Sequence, residues 1–565
     1  MSDGRSTVDC DSQPSALLAS LAAHARAGKA VPVRGDLACR VVTARFSFPP
    51  SLIFRMVRLL LALALVVSTA PTISAQRPRF AEPLRPQYHF TSARGWINDP
   101  NGMVWYKGEW HLFYQHNPFG DTWGHMSWGH AVSRDLVHWE HLPVALAEEG
   151  GIMIFSGSAV VDRDNTSGLC TSGAPGDSSC LVALYTGHTA TNQSQHLAFS
   201  NDRGRHWTKY ASNPVLDIGA KDFRDPKVFW YAPTRRWVMV VSLATQQQVR
   251  FYSSPNLREW TRLGEFGAAG ATSGIWECPD LFELPVEGRT GETRWVLIVN
   301  INPGAPAGGS GAQYFVGRFN GETFVSDDAP AKVRWADYGK DFYAAVSWSG
   351  VPASDGRRVW LGWMSNWEYA AQEPTTPFRG AMTIPRVLSL RRVGGDVVLA
   401  QRPVRELRVL RGTRRHVAQA AMPAGVDVLA GRHIAGDALE LDLELVVGDA
   451  REITLAVRRG GKELTVIGYD VVRGVLYVDR TRSGEVAISP TFSGRHEAPM
   501  ATTDGRLRLT VFVDRSSLEV FGSDGMVAIT DRIFPSPGST AVELRAHGGT
   551  ARIVRLDAWP LRSAW

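Results

Sequence analysis

Cysteine is scarce: five residues in 565, two of them (Cys10 and Cys39) near the N-terminus. So few exclude a disulfide-dense scaffold, and no pairing among them has the spacing of a zinc site. Long apolar helical patterns are also missing, which argues against a helical bundle. Net charge is small. Lys and Arg exceed Asp and Glu by six. Eight Lys/Arg against four Asp in residues 1–75 supply four of that excess, so the remaining residues carry only two. A body so close to neutral argues against nucleic acid or an acidic polymer as the main partner.

The one prominent apolar run, residues 59–67 (LLLALALVV), is nine residues long and too short to anchor in a bilayer. Met56-Val57-Arg58 precedes it and small residues follow up to Ala75, the layout of a secretory signal peptide over 56–75. Cleavage after Ala70 or after Ala75 is equally compatible with the pattern. Residues 1–55 precede what reads as a natural start at Met56 and are expected to be an upstream over-extension of the reading frame or a disordered leader. The expectation is a secreted protein, extracellular or periplasmic, with no membrane association once the signal is removed.

What the chain does have is 19 Trp and 54 Gly, a composition for many short strands, tight turns and aromatic surfaces. A Ser/Asn/Asp-rich turn closing on an aromatic ring recurs: Ser133 to Trp139, Ser200 to Trp207, Ser253 to Trp260 and, more weakly, Gly317 to Phe324. The closing rings lie 68, 53 and 64 residues apart. Units of that length, each with about four strands, read as blades of a β-propeller. The fold class is therefore all-β: a five-bladed β-propeller over residues 85–400, followed by a β-sandwich over 415–565. Five blade starts are proposed at Asp99, Phe155, Asp225, Glu277 and Asp341. Residues 401–415 form a basic connector, and Leu439 to Leu445 alternates with period two, as a half-buried strand does. The sandwich shows no cluster of catalytic residue types.

Three of the carboxylates at blade starts stand out, each flanked by Pro or an aromatic residue. Asp99 lies in Trp96-Ile97-Asn98-Asp99-Pro100-Asn101-Gly102, read as a turn built by Pro100 and Gly102. Asp225 follows Arg224, its expected ion-pair partner. Glu277 sits between Trp276 and Cys278-Pro279, packed against a large ring. Cys170 and Cys180 flank a Gly/Ser/Pro loop and are candidates for a small disulfide.

These three motifs, in this order, resemble the signature motifs of family 32 glycoside hydrolases, the invertase, inulinase and levanase group. Phe113-Tyr114-Gln115-His116-Asn117-Pro118, Phe155-Ser156-Gly157-Ser158, Tyr185-Thr186-Gly187 and Trp363-Met364-Ser365-Asn366-Trp367 agree with the resemblance, as does the stretch from Phe512 to Phe521. The resemblance implies retaining hydrolysis of β-fructofuranosides in fructans and sucrose. It implies Asp99 as nucleophile, Glu277 as general acid/base and Asp225 as stabiliser of the transition state. It points to Trp96, Asn98, Gln115, Trp123, Phe155, Ser156 and Arg224 around the first fructosyl unit, with Trp363 or Trp367 completing the wall. No cofactor is implied. Two other readings share the scaffold: a fructosyltransferase, whose acceptor features the sequence does not display, and a non-catalytic fructan-binding protein, which loss of one of the acids would favour.

Overall fold

Period-two apolar alternation and frequent glycine turns produce an almost wholly β chain in the computed structural model, which describes residues 80–171 and 177–565. The leader and signal segment expected over 1–55 and 56–75 lie outside these residues. Five antiparallel sheets follow one another, each led by an innermost strand: Gly95–Tyr106, Met153–Asp162, Phe223–Tyr231, Ile275–Pro285 and Tyr343–Ser347. These are the blades of the propeller. The stretch read as a turn around Asp99 is thus the first innermost strand. Pro100 is tolerated there because the ladder is interrupted beside it.

The recurring aromatic closers are the connections between the third and fourth strands of blades one to four. In each, a short side chain holds the turn: Asp135, Asp202, Asn256 and Asn320 accept backbone N–H groups two to four residues ahead. Such local caps compete with strand pairing and so end the strand. The fifth blade breaks the pattern. Its third and fourth strands, Arg386–Val393 and Asp396–Pro403, meet at Gly394-Gly395, and the last of them runs three residues beyond the expected boundary at 400. An excursion between Trp363 and Arg386 carries Phe378–Arg379, which pairs in parallel with Gly95 and Trp96 and joins the fifth blade to the first.

A short 3₁₀ segment, Arg405–Leu410, leads to two sheets of six and five strands. Leu439, Leu441, Leu443 and Leu445 all point into the core between them, each burial contributing roughly 1.5–3 kcal/mol. Buried charge ties this sandwich to the propeller. Arg386, in the fifth blade, pairs with Glu519 at 2.5 Å and Asp337 at 3.1 Å, and His89 bridges Asp514 (2.8 Å) and Glu519 (3.0 Å). Asp341, expected on the channel axis, belongs to this interface instead. It is fully buried, accepts from Tyr369 and pairs with Arg480 of the sandwich at 2.7 Å.

Candidate active site

Each of the five innermost strands carries an extra residue at one depth. Asn98-Asp99 faces the single residue Gln115 across the ladder, and Ser156 is inserted between paired Phe155 and Gly157. Asp225-Pro226 faces Val241, Cys278-Pro279 faces Val299, and Ala344-Ala345 faces Gly362. An extra residue bends its strand and re-aims the side chains beside it. Asp225, Cys278 and Ala344 take positive φ values of 65°, 44° and 53° there. Strain of this kind costs about 1–3 kcal/mol per residue and persists where surrounding structure enforces it. Pro100, Pro226 and Pro279 have no N–H to leave unpaired at these interruptions.

The interruptions of the first four blades border a cavity of about 180 Å³. Asp99, Asp225 and Glu277 all line it, as do Asn98, Gln115, Trp123, Phe155, Ser156, Arg224 and Trp367. Asp99 is the most heavily hydrogen-bonded acid. Oδ1 accepts from Asn98 Nδ2 at 2.9 Å; Oδ2 accepts from Ser156 Oγ at 2.7 Å and from the Cys278 thiol at 3.3 Å. Burial raises its pKa and the Glu277 charge adds to the rise, while these three donors hold it down. Asp225 Oδ2 accepts from the Cys278 N–H at 2.9 Å and from the same thiol at 3.7 Å. Burial pushes Asp225 up to about 7, with Glu277 and Asp99 adding to the rise and Arg224 opposing it. Cys278 therefore sits between two carboxylates, and burial together with their charges keeps it a thiol.

Arg224 does not bond to its neighbour Asp225. Its Nε donates to Glu277 Oε1 at 2.9 Å, and its Nη1 reaches Gln193 and Asp222, each at 3.1 Å. Consecutive side chains on a strand point to opposite faces, and the extra residue turns Asp225 away. The other oxygen of Glu277 accepts from the Tyr343 hydroxyl. Trp276 also departs from expectation. It is fully buried between blades with its indole N–H on Ala271 O, so it packs away from the Glu277 carboxyl.

Two of the aromatic residues expected around the sugar lie beneath the site. Trp96 is 1% exposed and Trp363 is fully buried, because both belong to the packed layer under Trp367. Trp96 stacks below Trp367 with ring centroids 5.9 Å apart, and its Nε1 donates to Asn98 Oδ1 at 2.7 Å, which orients the amide that holds Asp99. Trp367 forms the wall. Trp123, 44% exposed, stands edge-on to Phe155 at the rim, and Phe155 stacks on His188 at 4.2 Å. Gln115 Nε2 is buried with no acceptor among the described residues.

The sequence reading missed Tyr343, Gln193, Ile275 and Asn302. Asn302-Pro303-Gly304 is a turn signal that marks the end of a strand next to the site; Tyr343 carries no local signal. Away from the cavity, Cys170 and Cys180 are joined in a disulfide with their Cα atoms 5.2 Å apart.

The family description "Glycosyl hydrolases family 32 N-terminal domain" matches residues 89–403, and "Glycosyl hydrolases family 32 C terminal" matches residues 406–560. The chain is 49% identical to the levanase of Bacillus subtilis (strain 168), over 90% of this chain and 75% of that one. It is 39% identical to the extracellular exo-inulinase of Aspergillus awamori, over 86% and 96%. The crystal structure of exo-inulinase from Aspergillus awamori superposes with a TM-score of 0.80 at 38% identity, covering 86% of this chain and all of that one. The β-fructofuranosidase of Schwanniomyces occidentalis, solved with fructosyl-erythritol, gives 0.77 at 32% identity over 85% and 98%.

Proposed function

The chain belongs to glycosyl hydrolase family 32, and from this we propose a secreted enzyme that removes terminal β-D-fructofuranosyl units from fructan chains by double displacement. It is a glycoside hydrolase acting on β-fructofuranosides of fructans and sucrose. The observation that carries the finer reading is the convergence of Asp99, Asp225 and Glu277, with their hydrogen-bond partners, in one small cavity. A pocket of only about 180 Å³ holds a single terminal unit more readily than the middle of a chain.

In the proposed reaction the Asp99 carboxylate attacks the anomeric carbon while Glu277 gives its proton to the departing glycosidic oxygen. The product of this step is a fructosyl ester of Asp99. Water then attacks the same carbon, Glu277 takes its proton, and Asp99 leaves as a carboxylate with net retention. Asn98, Ser156 and Cys278 stabilise that carboxylate each time it is free. The residue types match the task, because positive charge developing at the anomeric carbon is stabilised by fixed negative charge beside it. Asp225 and Gln115 take the hydroxyls of the fructosyl ring; the unpaired Gln115 amide is a donor ready for such a contact. Trp367 and Trp123 face the apolar side of the sugar.

The test is incubation of the purified protein with sucrose, inulin and levan, with products resolved by chromatography and the first anomer read by NMR. Fructose as the early product, released as the β-anomer, is expected. Lengthening oligofructosides would overturn hydrolysis in favour of transfer, and α-fructose would overturn the covalent intermediate.

A further inference from the structure

A second and larger cavity, of about 550 Å³, lies further along the same innermost strands. Phe229 stands four residues beyond Asp225 and Phe282 five beyond Glu277, which at about 3.3 Å per residue separates the two cavities by about 15 Å. Between them the channel narrows to a gap of about 10 Å³ beside Lys227, Cys278 and Val346. Lys227 is fixed there by Asp280 at 3.1 Å and by the Ser347 carbonyl at 2.6 Å. A ligand in the larger cavity is therefore shut off from the catalytic carboxylates.

The lining of this cavity has two features that packing does not use. Trp230, 38% exposed, is held edge-on against Trp237 at 5.1 Å, so its position is set while part of its ring stays open. Arg358 lies over the Phe282 ring at 5.0 Å and donates to the Trp348 carbonyl at 3.3 Å, yet makes no ion pair among the described residues. Burial lowers its pKa, and the Asp280 charge opposes that shift. Its other N–H groups are available to a ligand. None of the three acids of the lining forms an ion pair with it, and two of them have other donors: Asp162 accepts from Thr166 and Ser167, and Glu283 from Thr293. Formal charges on the lining balance, three basic residues against three acidic, so the cavity selects neither an anion nor a cation. A neutral ligand with many hydroxyls and an apolar C–H face suits an open indole beside an underused guanidinium.

We propose that this cavity is a non-catalytic carbohydrate site, holding a short stretch of fructan with its apolar face on Trp230 and its hydroxyls on Arg358. The choice of fructan rests on the function proposed above; the separation from the catalytic centre does not. Such a site keeps the enzyme on a polymer while the other end of the propeller removes terminal units, and it has no role in cleaving sucrose.

The experiment uses Glu277→Gln as a background in which hydrolysis is strongly slowed, and measures retardation in native gels containing levan, inulin or dextran. Adding Trp230→Ala or Arg358→Met to that background is expected to weaken levan or inulin retardation about tenfold, as loss of an anchoring aromatic or Arg does. In the active protein, the same two substitutions are expected to raise KM for levan or inulin several-fold and leave kcat/KM for sucrose within twofold. Trp230 is surface-exposed, so its variant keeps the test decisive if Arg358→Met does not fold. Unchanged retardation in the Trp230→Ala protein would overturn the site, and equal retardation by dextran would overturn its assignment to fructan. Sucrose hydrolysis by the otherwise unaltered protein reads the proposed activity separately.

Discussion

Arg224 Nε and Glu277 Oε1 are 2.9 Å apart, although 53 residues separate them in the chain. The bond joins two neighbouring blades and aligns the Glu277 carboxyl from the side opposite Tyr343. Arg224 is anchored in turn by Gln193 and Asp222, so Glu277 is held by a guanidinium that cannot itself swing freely. Replacing Arg224 with Lys keeps the charge but loses the fixed fork of donors. We expect kcat/KM for sucrose to fall about 10²-fold in Arg224→Lys, as when a positioned charged hydrogen bond is lost in a catalytic site. Steady-state kinetics checks this, and activity within threefold of the parent would contradict the positioning role.

The acids themselves give the most direct test. Glu277→Gln should lower kcat on sucrose by about 10²–10⁴-fold, the usual contribution of a general acid/base. Asp99→Asn should remove turnover at least as completely, with circular dichroism unchanged in both. Activity within a few-fold of the parent in either variant would refute the role assigned to that residue.

Tyr343→Phe separates the hydroxyl from the ring. The ring stays packed against Trp363 and only the donor to Glu277 Oε2 is lost. A hydrogen bond to a charged group contributes about 1.5–3 kcal/mol, so kcat should fall roughly 10- to 100-fold. KM should change little, which steady-state kinetics on sucrose reads directly.

Trp96 and Trp367 stack on each other, but only the upper ring lines the cavity. Trp367→Ala should therefore raise KM. Trp96→Phe keeps most of the buried ring but frees Asn98 from its anchor, so it should lower kcat through Asp99. A Trp96→Phe protein altered mainly in KM would restore Trp96 to the sugar-binding surface.

The buried charges between propeller and sandwich predict a pH window. Asp514 and Glu519 are held below their usual range by the His89 and Arg386 charges and by backbone donors, against the burial that would raise them. Their stabilisation is present above the ordinary carboxylate range and fades as pH falls through their folded values. His89 is raised, its two carboxylate partners outweighing burial, so its contribution is complete below 6.5 and disappears as pH rises through the folded value. Asp337, raised by burial on the same Arg386, also favours the acidic side. Thermal unfolding should show highest stability at mildly acidic pH. His89→Gln should lower Tm at pH 5.5 more than at pH 8; an equal loss at both would rule out a charged His89.

What the sequence by itself determined is what depends on near neighbours along the chain. Period-two alternation set the strands of the sandwich, as Leu439 to Leu445 shows. The Asp and Asn turns before Trp139, Trp207 and Trp260 marked where third strands end, and the motifs around Asp99, Asp225 and Glu277 singled out three acids that share one cavity. Tertiary structure decided which partner each side chain meets. Neighbouring strands fix where an extra residue interrupts the ladder, and that interruption decides where a side chain points. So Arg224 holds Glu277 instead of Asp225, Trp276 turns into the core, and Tyr343 reaches the site from the fifth blade. Trp96 and either Trp363 or Trp367 were expected around the sugar; packing buries Trp96 and Trp363 beneath Trp367, and only Trp367 lines the cavity. Asp341, read as the fifth blade start on the channel, pairs instead with Arg480, a residue 139 positions away that only the docked sandwich brings within reach.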